Sequence, residues 1–150
     1  MKHSSYSDLV DVLNRSVAKH AQRNLFGTKV EGSWEWITYG AFGKRVEDLR
    51  GGLAELGIGQ GDTVAIISAN RVEWAVAAYA TYSLGARFCP MYESQTPKDW
   101  QYILEDSGAK VLFTSTYQIF EETRGWTQEL ESLGNVFCMA CPFMLPRDLA

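Results

Sequence analysis

DTVAIISANRVEWAVAAYATYSLGARFCPMYESQTPKDWQYILEDSGAKVLFT, residues 62–114, decides the fold. TVAIIS (63–68) is an unbroken apolar run of the kind found in a strand covered on both faces. The spacing after it predicts a helix over about 72–84, with Asn70 as its cap and Glu73 at the third helical position. ARFCPM (86–91) reads as a second buried strand. Thr96, Pro97 and Asp99 then supply a cap, a proline at the first helical position and the acid of a capping box. That helix runs through Trp100, Ile103 and Leu104 and stops at Gly108, after which KVLFT (110–114) is a third strand. Downstream, 117–133 reads as a helix and NVFCM (135–139) as a fourth strand. Strand and helix thus alternate from Asp62 onward, which implies a parallel sheet with helices on its faces and right-handed crossovers.

Upstream, Leu9, Val10, Leu13, Val17 and Ala21 form a helical stripe, with Ser5 and Asp8 placed as a capping box. Leu25, Phe26 and Val30, then Trp34, Trp36 and Ile37, are two β-type runs separated by Glu31, Gly32 and Ser33, a hairpin signal. Helical spacing returns over 39–56 through Phe42, Val46, Leu49, Leu53 and Leu56, with Thr38 as N-cap. The fold class expected is therefore α/β: a partial, doubly wound parallel sheet with flanking helices, preceded by an N-terminal helix and a β-hairpin.

With 150 residues and 46% hydrophobic content, the chain has enough apolar material for one domain with a core. Fourteen Lys and Arg against eighteen Asp and Glu, with no basic run, exclude a nucleic-acid partner, because phosphate binding needs concentrated positive surface. No window approaches the roughly 18 apolar residues of a membrane span, so no transmembrane segment is expected and a soluble, cytoplasmic protein is. Cys89, Cys138 and Cys141 are read as reduced thiols, since three cannot all pair within the chain.

Several groupings invite chemistry and are better explained by structure. Gly57, Gly59 and Gly61 close a helix and open a strand, the reverse of a nucleotide loop, and so read as a helix end plus a tight turn. Cys138 and Cys141 form a C-x-x-C followed by Pro142, Phe143, Met144, Leu145 and Pro146, a poor helix start for a redox pair, and no second ligand pair offers a zinc site. Trp34, Trp36, Trp74 and Trp100 are read as packing residues. No histidine is placed to activate Ser68, Ser83 or Ser115. Glu105 with Asp106, and Glu121 with Glu122, fit solvated helix faces.

Two segments go beyond fold class. Ile37-Thr38-Tyr39-Gly40-Ala41-Phe42 resembles the first conserved motif of the adenylate-forming (AMP-binding) enzyme superfamily, and 82–92 (YSLGARFCPMY), with Gly85, Ala86, Pro90 and Met91, resembles the second. Residues 53–66 match that family's manner of joining helix to first strand, and WQYILEDSGAKVLFT (100–114) its next helix and strand. The resemblance covers about 6–139 and is nearest the long-chain acyl-CoA synthetase branch. Each motif also has a local role. Thr38 caps a helix, Gly85 ends one, and Pro90 ends a strand near the carboxyl edge, where open α/β sheets place ligands.

The resemblance implies a reaction in which a fatty acid and ATP give an acyl-adenylate and pyrophosphate, and CoA then displaces AMP. It also implies magnesium, a glycine-rich phosphate loop with a lysine, and a lysine on a mobile C-terminal domain. None of these maps onto the sequence; Thr96-Pro97-Lys98 lacks the glycines. No catalytic, cofactor-binding or metal-binding residue is assigned, and the motif residues are structural. Residues 1–139 are expected to be the N-terminal part of an AMP-binding domain and 140–150 a divergent tail, read as a truncation, alternative exon or shifted frame. The chain alone is expected to be inactive. The rival reading is a non-catalytic short form that binds a full-length synthetase or a lipid, associating through an exposed sheet edge. A full-length parent could also associate peripherally with a membrane.

Overall fold

The computed structural model describes residues 5–140. Helix α1 (Leu9–His20) leads into a hairpin of β1 (Asn24–Val30) and β2 (Ser33–Thr38), followed by α2 (Tyr39–Glu55). Strands β3 (Thr63–Ile67), β4 (Arg87–Met91), β5 (Ala109–Thr114) and β6 (Asn135–Cys138) then alternate with α3 (Val72–Tyr82), α4 (Pro97–Ser107) and α5 (Tyr117–Thr123), the last continued by a 3-10 turn, Arg124–Gln128. The four strands form one parallel sheet in the order β4-β3-β5-β6. The expected α/β architecture is the one observed.

Strand periodicity divides the core into two layers. Val64, Ile66, Val111 and Phe113 face a cluster with Phe42, Val46 and Leu53 of α2, Val76, Ala77 and Ala80 of α3, and Leu13 of α1. Ala65, Ile67 and Leu112 face the other side, against Trp100 and Leu104 of α4, Ile119 of α5, and Trp126, Leu130 and Leu133 beyond it. Val64 through Ile67 are wholly buried, as the unbroken apolar run requires. Each large aliphatic side chain so buried contributes about 1.5–3 kcal/mol.

Local chemistry sets the element ends. Thr96 accepts the Asp99 N–H while Asp99 accepts the Thr96 N–H, with Pro97 at the first position, so α4 starts as expected; it ends at Gly108 with φ +62°. The α1 cap is Asp8 alone, accepting the Asp11 N–H at 2.8 Å, and Ser5 takes no part. Helix α3 is capped at Arg71, one residue beyond the expected Asn70, and the cap side chain accepts no backbone N–H of the first turn. The expected helix over 117–133 stops at Thr123, whose hydroxyl turns back to the Ile119 carbonyl at 2.8 Å. Gly125 follows, and the tighter turn carries Trp126 into the second core.

Three other expectations are corrected. Strand β4 is an edge strand, with Met91 buried but Arg87 and Pro90 exposed, rather than a buried one. Trp34 and Trp36 are not core residues: they are 61% and 55% exposed, and stack on each other with ring centroids 6.0 Å apart. Alternation shows that they share a face, but not that this face looks outward. Cys89 is a free thiol whose pKa burial raises, whereas Cys138 is disulfide-bonded and not a reduced thiol. The tail reading on 140–150 lies, beyond residue 140, outside the described residues.

The two flanks of β4 differ in their backbone groups. The Arg87 N–H donates to the Asp62 carbonyl at 2.7 Å, and the Met91 carbonyl accepts the Ser68 N–H at 3.2 Å. Arg87, Cys89 and Met91 therefore turn their backbone groups toward β3, and Phe88 and Pro90 turn theirs outward. Pro90 has no N–H to offer there, which removes one ladder donor from the outer flank of β4 and blunts it against another strand.

Candidate functional site

In this strand order the chain leaves β3 toward β4 and then crosses back to β5 on the opposite side. The carboxyl ends of β3 and β5 therefore bracket the topological switch point, where open α/β sheets bind ligands. Three loops leave the sheet at this edge: Ser68 to Arg71 after β3, Tyr92 to Gln95 after β4, and Ser115 with Thr116 after β5.

Backbone bonds set the crevice floor. The Ser68 N–H reaches the Met91 carbonyl at 3.2 Å, the Ser115 N–H the Ile67 carbonyl at 3.0 Å, and the Met139 N–H the Thr114 carbonyl at 2.8 Å. Side chains join the walls above it. Glu93 Oε1 accepts both the Ala69 N–H at 2.9 Å and the Ser115 hydroxyl. Arg71 donates from Nη1 to the Ser115 carbonyl at 3.3 Å and from Nε to Glu73 at 2.7 Å. The Trp100 indole N–H donates to the Tyr92 carbonyl, and the Tyr92 N–H to Gln95, which leaves the Tyr92 ring standing 76% exposed at the rim.

The electrostatics favour ionised carboxylates. The Ser115 hydroxyl, then the Ala69 N–H, hold Glu93 below the ordinary carboxylate range; burial opposes them weakly and Arg71 adds to them. Burial is the largest single influence on Glu73 and works against its charge. The Arg71 hydrogen bond, its own backbone N–H and the charges of Arg71 and Arg45 together outweigh it and lower its pKa. Ser115 is 3% exposed and already donates to a carboxylate, so its hydroxyl is a structural donor rather than an open nucleophile.

The motif residues singled out in the sequence do not converge here. Thr38 caps α2 by accepting the Ala41 N–H at 3.2 Å, and the Tyr39 N–H donates to the Arg23 carbonyl beyond α1. Gly85, at φ +68°, and Ala86 lie at the amino end of β4, where the Gly85 carbonyl accepts the Gly61 N–H at 3.1 Å. Pro90 is on the outer flank, and Met91 alone reaches the crevice, through its carbonyl. Glu93, Arg71 and Ala69 carry no local sequence signal. An acid just past the carboxyl end of a strand is the one hint available, and it needs the strand order to be read.

Glu105, Asp106, Glu121 and Glu122 are exposed on helices, as expected. Among the described residues no group of three or more His, Cys, Asp or Glu could hold a metal ion. No helix among them is long and apolar enough to cross a membrane.

A family model described as "AMP-binding enzyme" matches residues 13–147. Among curated proteins, the long-chain-fatty-acid–CoA ligase FadD15 of Mycobacterium bovis is 36% identical over 87 residues, 58% of this chain and 14% of its own length. Fatty acyl-CoA synthetase B of Dictyostelium discoideum is 27% identical over 136 residues, 87% of this chain and 20% of its own. Among solved structures, the anthranilate CoA ligase AuaEII in complex with anthranoyl-AMP superposes with a TM-score of 0.80 at 20% identity, over 91% of this chain and 26% of its own. The chain thus spans a seventh to a fifth of the length of these curated relatives.

Proposed function

The chain belongs to the AMP-binding enzyme family, and on that premise we propose that it forms the opening framework of an ATP-dependent acyl-CoA synthetase acting on a fatty acid. The observation that carries the proposal is the family match over 13–147 together with relatives named as fatty acyl-CoA ligases. In the proposed reaction a fatty acid carboxylate oxygen attacks the α-phosphorus of ATP and pyrophosphate leaves. The CoA thiolate then attacks the acyl carbon and AMP leaves, giving acyl-CoA.

ATP, magnesium and CoA are the groups such a reaction uses, and the described residues do not fit them. They gather no metal-ligand cluster, and the glycines at 57–61 serve a turn between α2 and β3 on the sheet's amino side. No step is assigned to a residue of this chain. Its proposed contribution is positional: a rigid sheet whose carboxyl-edge loops present one wall of a ligand crevice. Thr38, Tyr39, Gly85, Ala86, Pro90 and Met91 are proposed to be framework, 1–139 to be the N-terminal part of the AMP-binding domain, and 140–150 to diverge from it. A cytoplasmic location, with peripheral membrane association of a longer parent, belongs to the same proposal.

The test is ATP–pyrophosphate exchange with purified chain and a panel of fatty acids of increasing length. No exchange is expected from these 150 residues alone; robust exchange would show that the chemistry lies within them. Comparing the encoding transcript with that of a full-length relative tests the divergent tail, and cell fractionation tests the location.

A second reading, a non-catalytic short form that pairs with a full-length synthetase or a lipid, draws support from the sheet's asymmetry. Pro90 removes a ladder donor from the β4 flank, and among the described residues no strand lies beyond β6. Co-purification with a full-length synthetase favours this reading; a monodisperse monomer that takes up no lipid counts against it.

A further inference from the structure

We propose that Glu93 is the positioning residue of the carboxyl-edge crevice: its Oε1 fastens the loop after β3 and the loop after β5 to the loop after β4, so that the three walls move as one body. This rests on the reading of that edge as ligand-facing; its test does not.

The connectivity singles out Glu93. Arg71 ties the loop after β3 to the loop after β5 through the Ser115 carbonyl, and acts on the loop after β4 through its charge on Glu93. The Trp100 and Gln95 bonds brace Tyr92 within its own loop and α4. The Ser68 N–H bond to the Met91 carbonyl extends the ladder at the crevice floor. Above that floor, the Glu93 carboxylate is what joins the loop after β4 to the other two. It does so on a single oxygen, shared by a backbone amide and a buried hydroxyl. Removing it leaves the Ser115 hydroxyl, 3% exposed, without this acceptor, which is the expensive kind of hydrogen-bond loss.

The charge state matters because both donors bind the carboxylate more strongly than the neutral acid. Among the described residues Arg71 is the charged group that acts on Glu93; it sits on the loop after β3, with Glu73 of α3 bound to it. The loop after β5 contributes the Ser115 hydroxyl and no charge. Because the folded pKa is lowered, the tie is at full strength above the ordinary carboxylate range and weakens as pH falls through the lowered folded value.

The experiment is a pH titration of the 150-residue chain followed by proton–nitrogen correlation spectra, with amide exchange at Ala69 and at the buried strand residues Val64 to Ile66. In the wild-type chain the Ala69 amide proton is expected to titrate with a midpoint below the ordinary carboxylate range. Glu93→Gln is expected to abolish that titration yet keep Ala69 protected, because the carboxamide oxygen accepts the same two bonds. Glu93→Ala is expected to speed Ala69 exchange about tenfold or more while leaving Val64 to Ile66 unchanged. Should Glu93→Ala fail to fold, Ser115→Ala carries the test: it removes the larger cause of the lowered pKa, and the Ala69 midpoint moves up. A wild-type Ala69 amide that does not titrate, or a Glu93→Gln chain as open at Ala69 as Glu93→Ala, overturns the proposal. No ligand enters these measurements, so failure of the synthetase reading leaves their outcome intact.

Discussion

The two ends of the parallel sheet are built by different means. At the amino end, strands meet through backbone and glycine: Gly61 donates to the Gly85 carbonyl, Arg87 to the Asp62 carbonyl, and both glycines have positive φ. Two side-chain ties accompany them: the buried Thr63 hydroxyl donates to the Ser107 carbonyl at 3.0 Å, and Asp62 pairs with Lys110 at 2.7 Å. At the carboxyl end, side chains from separate loops do the joining, through Glu93, Ser115 and Arg71. The amino end thus rests largely on backbone conformation, and the carboxyl end on side-chain contacts between loops. The first is a seam of backbone bonds, and the second a set of polar ties in which Glu93, Ser115 and Arg71 are already engaged with one another.

Substitutions can break or sharpen this contrast. Leu112→Ala, at the wholly buried centre of β5, is expected to destabilise by about 2–5 kcal/mol and to loosen both ends together in one cooperative melt. Two separate transitions would mean that the ends are independent bodies. Gly85→Ala should cost about 1–2 kcal/mol from its left-handed backbone alone, since an added Cβ meets Gln60 at an ordinary 3.5 Å. That loss should appear in the thermal midpoint without altering amide protection at Ala69. Thr96→Ala removes the α4 cap beside the crevice and should cost about 1 kcal/mol by denaturant titration.

The smallest effect belongs to Asp62. Lys110, then the Gly59 N–H, hold its carboxyl below the ordinary range, so its contribution is present above that range and fades as pH falls through the lowered folded value. Asp62→Asn should flatten the acid limb of stability against pH slightly, and leave neutral-pH spectra at the carboxyl end unchanged.

Legibility in the sequence follows the same divide. The amino end and the starts of α2 and α4 can be read because the causes are local: Thr96 with Asp99, Thr38 with Ala41, Gly108 after Ser107. The α1 start is local too, but its cap acid Asp8 pairs with Asp11 and not with Ser5, as the sequence reading has it. The alternation of strand and helix yields the architecture for the same reason. Sequence reasoning fails where the deciding partner is distant. Arg71 caps α3 in place of Asn70 while its guanidinium is held by Ser115, 44 residues away. Trp34 and Trp36 read as packing residues because alternation cannot say which face of a hairpin is covered. Glu93 is silent in the sequence because its partners, Ala69 and Ser115, lie 24 and 22 residues from it, on loops that only the β4-β3-β5 order brings together. Family resemblance does not close this gap, since its motif residues fall mostly away from the crevice.

Pro90 also limits what kind of assembly the sheet permits. A filament that grows by adding strands side by side needs two receptive flanks per unit, one to dock and one to receive the next arrival. Here the proline blunts one flank. Strand-by-strand growth through the β4 flank is thus disfavoured, which biases any edge pairing of the described sheet toward its other side.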